Sequence, residues 1–123
     1  MSNPVLNLNQ LNVLRQLNPI NGVSVLKKLI AIYLKSAPAF LSQIENAIHT
    51  KDSHLLRRAA HTFKSSNANI GAETLTDICQ KLEDFGDNNQ VDEAAKLLAK
   101  FQHESLQVTI ALEEILVEYD VQK

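Results

Sequence analysis

Apolar residues recur every three or four positions through four long stretches of this chain, and only short runs of Gly, Asn, Asp and Pro separate them. That period places a single apolar stripe on each helix, so each helix has one face that another helix must cover. The chain is therefore expected to be all-α, an antiparallel up-and-down four-helix bundle with a short extra helix at its N-terminus.

Residues 9–17 (NQLNVLRQL) place Leu11, Leu14 and Leu17 on one side of a short lead-in helix, after asparagines able to cap it and before Asn18-Pro19. From Asn21, Leu26, Leu29, Ile30 and Tyr33 form a second stripe, which resumes past Pro38 as Phe40, Leu41, Ile44, Ala47 and Ile48. Pro38 must kink that helix or divide it, with Ser36 able to cap a new start. A central helix follows Asp52 or Ser53 and stops at Gly71, the residue that most easily takes a left-handed conformation. Leu75, Ile78, Cys79, Leu82 and Phe85 carry the next, closed by Gly86 and the turn Asp87-Asn88-Asn89. The last begins near Val91 with Asn89 as its cap. Its stripe is Ala94, Leu98, Phe101, Val108, Leu112, Ile115 and Tyr119, and its length should be roughly 40 Å.

Residues 1–123 are read as one domain, since a chain of this length buries a core without disulfide or metal staples. With 45% hydrophobic residues and only three Gly and three Pro, the chain has no compositional mark of disorder. Cys79 is the one cysteine; it cannot pair within the chain, lies in an apolar stripe and reads as core. The N-terminus lacks a signal-peptide pattern and no apolar run reaches a membrane span, so the expectation is a cytoplasmic protein without a membrane partner. A net charge of −2 argues against nucleic-acid binding.

The central segment DSHLLRRAAHTFKSSNANIG holds the strongest functional signal. Leu56, Ala59, Ala60, Phe63 and Ile70 gather on its buried side, while His61 lies about 140° from Leu56 on the wet side. Arg57 and Arg58 fall about one turn before His61, and Lys64 and Ser65 about one turn after. From Lys51 to Lys64, four cations (Lys51, Arg57, Arg58, Lys64) stand against Asp52, a local positive patch in a negative chain. A neutral imidazole in such a setting is a candidate nucleophile for a group that carries negative charge. His54, two turns earlier at roughly 10 Å, is too distant to share a metal with His61, and no metal site is expected.

AAHTFKSSNANIGAETLTDICQKLEDFG resembles the signature of histidine-containing phosphotransfer (HPt) domains. The matching features are His61, Lys64, the small Ser65 and Ser66, Asn69-Ile70-Gly71-Ala72, then Leu75, Cys79 and Leu82-Glu83. The short first helix, the proline-interrupted second and the long last helix extend the likeness over nearly the whole chain. The resemblance implies a phosphorelay carrier, not an enzyme with its own kinase domain, that takes a phosphoryl group on His61 Nε2 and passes it between receiver-domain aspartates. It implies Lys64 as the phosphate-stabilising cation and Arg57, Arg58, Ser65 and Ala68 as the surface on which a receiver docks. It implies Glu83 as the residue that orients the imidazole. Ser65 stands where the family most often has Gly, and is still small. The implied partners are response-regulator receiver domains or a hybrid histidine kinase, met by a monomer. The receiver would bring the Mg²⁺, and this chain would need no cofactor of its own.

An enzyme and a non-catalytic helical adaptor are the competing readings. A histidine kinase needs Gly-rich phosphate loops that three isolated glycines cannot build, and a phosphatase or metal hydrolase needs convergent ligands that the sequence lacks. An adaptor needs only the apolar stripes and leaves the setting of His61 a coincidence.

Overall fold

The computed structural model describes residues 5–16 and 22–121, with the side chains of 14, 15 and 119–121 outside the description. Five helices follow one another: α1 (Leu8–Gln16), α2 (Gly22–His49), α3 (Ser53–Asn69), α4 (Glu73–Asp87) and α5 (Val91–Val121). The described residues contain no strand. Three-residue turns join α2 to α3, α3 to α4 and α4 to α5, so each helix returns antiparallel to the one before. The packed pairs are α2 with α3, α3 with α4, α4 with α5 and α2 with α5, which closes a four-helix ring; α1 packs on α2.

The stripes meet in one core. Phe63 of α3 stands at its centre, stacked on Tyr33 and Phe40 of α2 at ring-centroid distances of 5.9 and 5.4 Å and met edge-on by Phe101 of α5 at 6.1 Å. Leu26, Ile30, Ile44, Leu56, Leu75, Leu82, Val108 and Leu112 fill the space around it, and Cys79 is a buried free thiol among them. Leu29, expected in the α2 stripe, lies on the exposed side. Leu17, Asn18, Pro19 and Asn21, and the side chains of Leu14 and Tyr119, lie outside the described residues.

Helix ends follow local chemistry, with three departures from expectation. Helix α2 runs unbroken through Pro38, and Ser36 Oγ donates back to Ile32 O at 2.8 Å, so it caps no new start. Asp52 caps α3 by accepting from Leu55 N at 3.0 Å, and Gly71 takes the left-handed φ of +79° expected of it. Gly86, by contrast, lies inside the last turn of α4, and Asn88 caps that helix. Asn89 does not cap α5 either: it adopts φ +56° and accepts from Ser53 Oγ at 2.6 Å, while Gln90 O receives the first α5 amides.

Helix α1 is tied to the α3–α4 turn. Asn7 N donates to Gly71 O at 2.7 Å, its amide donates to Glu73, and Gln10 Nε2 donates to Ala68 O at 2.6 Å. A Cβ on Gly71 would meet Asn7 backbone at 3.1 Å, so the close approach and the positive φ both favour glycine there.

Candidate functional site

Helix α3 buries Leu56, Ala59, Ala60, Phe63 and Asn67, and so turns His61 outward. The His61 side chain is 59% exposed. What stands beside it is decided by α4, and the register of that helix is set at Gly86. A Cβ on Gly86 would lie 2.7 Å from Arg57 N and 2.9 Å from Ser53 O, so only glycine lets the two backbones come this close. With residue 86 against residue 57, antiparallel pairing brings Glu83 opposite His61 and Gln80 opposite Lys64.

The polar contacts form one chain across that seam. Glu83 Oε2 lies 3.1 Å from His61 Nδ1, and Glu83 Oε1 accepts from Lys64 Nζ at 2.7 Å. Lys64 Nζ also donates to Gln80 Oε1 at 2.9 Å, and Gln80 Nε2 donates to Asp84 Oδ1 at 2.9 Å. Partial burial pushes the Glu83 carboxyl up, but hydrogen bonds from Lys64 and His61 and their positive charge outweigh it, so the group stays below its ordinary value. An ionised carboxylate only accepts; in neutral imidazole the proton must therefore sit on Nδ1, which leaves the Nε2 lone pair free.

The other expected residues are distributed over the same face. Ser65 is exposed one turn after His61, its hydroxyl 3.4 Å from His61 O. Arg57 and Arg58 are exposed and make no ion pair among the described residues. Ala68 is exposed in its side chain, while its carbonyl is covered by Gln10. The patch of cations is partly neutralised, since Lys64 pairs with Glu83 and Lys51 lies 3.6 Å from Asp92. Among the described residues no three His, Cys, Asp or Glu side chains converge as a metal site would need.

Two features escaped the sequence reading. Gln80 was one, because the register that sets it against Lys64 joins two helices and is not written in the period of either. Asn67 was the other: it lies fully buried, accepting from Tyr33 Oη at 2.5 Å and donating to Cys79 Sγ at 3.6 Å. Burial pushes the Cys79 thiol up to about 12, against smaller opposing effects of the Asn67 hydrogen bond and the Lys64 charge. Burial, with the neighbouring Cys79, also raises the Tyr33 hydroxyl, so both groups stay protonated and able to donate.

The pattern of the Hpt domain family matches residues 28–118. No curated protein matches the sequence. The fold is similar to the crystal structure of histidine-containing phosphotransfer protein B from Pseudomonas aeruginosa PAO1, with a TM-score of 0.82 and 24% identity over 92% of this chain and 95% of that one. No helix among the described residues is long and apolar enough to cross a membrane. Members of the family are phosphocarriers and not kinases, and they meet receiver domains and histidine kinases in phosphorelays. With an exposed histidine on a helical bundle and the family pattern over three quarters of its length, the chain belongs to the Hpt domain family of histidine phosphotransfer proteins in phosphorelay signalling.

Proposed function

We propose that His61 is the phosphoacceptor of this chain and exchanges a phosphoryl group with the aspartate of a receiver domain. Nε2 attacks phosphorus of the aspartyl phosphate; a P–N bond forms as the P–O bond breaks, and the electron pair returns to the receiver's carboxylate. Because Nδ1 keeps its proton, the phosphorylated ring carries positive charge, which the Glu83 carboxylate 3.1 Å away stabilises. Transfer onward is the same step reversed.

The observation that carries this reading is the pairing of an ionised Glu83 with Nδ1 of an exposed imidazole, which leaves Nε2 as the nucleophile. Lys64 is the cation for the developing phosphoryl charge. Arg57, Arg58, Ser65 and Ala68 are the surface the receiver covers, with the arginines attracting its acidic pocket. Mg²⁺ belongs to the receiver in this reading, which takes residues 1–123 as a single domain acting as a cytoplasmic monomer.

Incubation with a phosphorylated receiver should put acid-labile, alkali-stable label on the wild type and none on His61→Gln. Label that persists in His61→Gln moves the site elsewhere, and a wild type that takes no label from any receiver favours the non-catalytic adaptor.

A further inference from the structure

An ammonium group has three N–H donors and no acceptor. Lys64 commits two of them to α4, one to Glu83 Oε1 at 2.7 Å and one to Gln80 Oε1 at 2.9 Å. The Gln80 amide is itself fixed at both ends, because its nitrogen donates to Asp84 Oδ1 at 2.9 Å. Lysine can only donate and an ionised aspartate can only accept, so a reversed amide would oppose donor to donor and acceptor to acceptor. One orientation alone satisfies both contacts.

The kind of acceptor matters as much as its place. Glu83 is shared, one oxygen toward His61 and the other toward Lys64. A lysine held by that carboxylate alone would swing about it, since its four-carbon stem is flexible. A second acceptor one turn earlier on α4 fixes the ammonium from another direction. Being neutral, it does so without cancelling more of the charge that an incoming phosphoryl group needs, which a second carboxylate would do.

We propose that Gln80 is a positioning residue for phosphoryl transfer: together with Glu83 it holds the Lys64 ammonium beside His61, with one N–H left for the phosphoryl oxygens. Asp84 acts one step further out, by setting the direction of the Gln80 amide. The inference rests on His61 being the phosphoacceptor. It adds that Gln80 works only through Lys64.

The test uses the full chain and phosphoramidate, a small donor that needs no docking surface. Its P–N bond breaks with loss of ammonia as the bond to Nε2 forms, and ³¹P NMR follows the phosphohistidine. Gln80→Met should slow formation about three- to tenfold in the wild-type background, the scale of one exposed hydrogen bond to a charged group. In a Lys64→Met background the same substitution should change nothing, because the group it positions is gone. Gln80 is exposed and Met is a good helix former, so thermal unfolding should be unchanged. An unaltered rate in Gln80→Met, or an equal slowing in both backgrounds, overturns the role given to Gln80 and leaves His61 in place. A wild type that forms no phosphohistidine overturns the phosphoacceptor reading, and this inference with it.

Discussion

Two carboxylate oxygens of Glu83 serve two residues, so its removal should be felt twice. Glu83→Gln keeps the shape but loses the charge that pairs with Lys64, and phosphohistidine formation should fall severalfold. Its effect on stability has a defined pH window. The folded value of Glu83 lies below its ordinary 4.5, so the stabilisation is complete above about pH 4.5 and is lost as pH falls through the folded value. Urea unfolding should show the wild type more stable than Glu83→Gln at pH 7, with the gap narrowing toward pH 3. A gap that is constant with pH would deny the ion pair its part. Ser65 is governed by space instead. Ser65→Leu or Ser65→Trp projects from an exposed position and should leave the bundle folded, yet slow transfer from a receiver more than tenfold, on the order of the loss expected when docking displaces the reacting atoms by about 1 Å. Transfer from phosphoramidate should be nearly unchanged in both, which separates docking from chemistry.

At the scale of the element, the α3–α4 pair is the part of the bundle that carries the candidate site. Asp52 fixes where α3 begins, Gly71 turns the chain, and Gly86 lets α4 approach. Two effects compete in Gly86→Ala. Helix propensity favours Ala by about 1 kcal/mol. The new Cβ, however, would sit 2.7 Å from a backbone nitrogen, which cannot rotate away as a side chain would, and such overpacking costs about 1–3 kcal/mol. The clash should win, and Gly86→Val should be worse than Gly86→Ala in thermal unfolding. Both should also slow phosphohistidine formation, since pushing α4 outward parts Glu83 from His61. The sequence shows Gly86 near a helix end, where glycine usually serves as a left-handed stop, and so it suggests the wrong reason for the residue. Pro38 misleads in a similar way: it lacks an N–H and disfavours a helix interior, but neighbouring residues Ala37, Ile44 and Ala47 bury their side of α2 and packing carries the helix through.

The whole molecule rests on a core in which three of the four bundle helices send aromatic rings to Phe63 or supply it. Phe63→Ala should cost about 3–5 kcal/mol, a large share of the ~5–15 kcal/mol that holds a domain of this size together, and denaturant unfolding measures it directly. Because Phe63 lies two residues after His61 and points the opposite way, that loss would reach the site by loosening α3. The all-α class, the amphipathic faces of the helices and the outward direction of His61 were legible in the sequence, because each depends on residues three or four positions apart. The family signature was legible because it is one contiguous run, the second half of α3, the turn after it and nearly all of α4. The partners of Lys64, the burial of Asn67 against Tyr33 and Cys79, and the passage of α2 through Pro38 were decided only in three dimensions. Each joins groups on different helices or sets packing against local preference, and a one-dimensional pattern carries the period of a helix but not the register in which two helices meet.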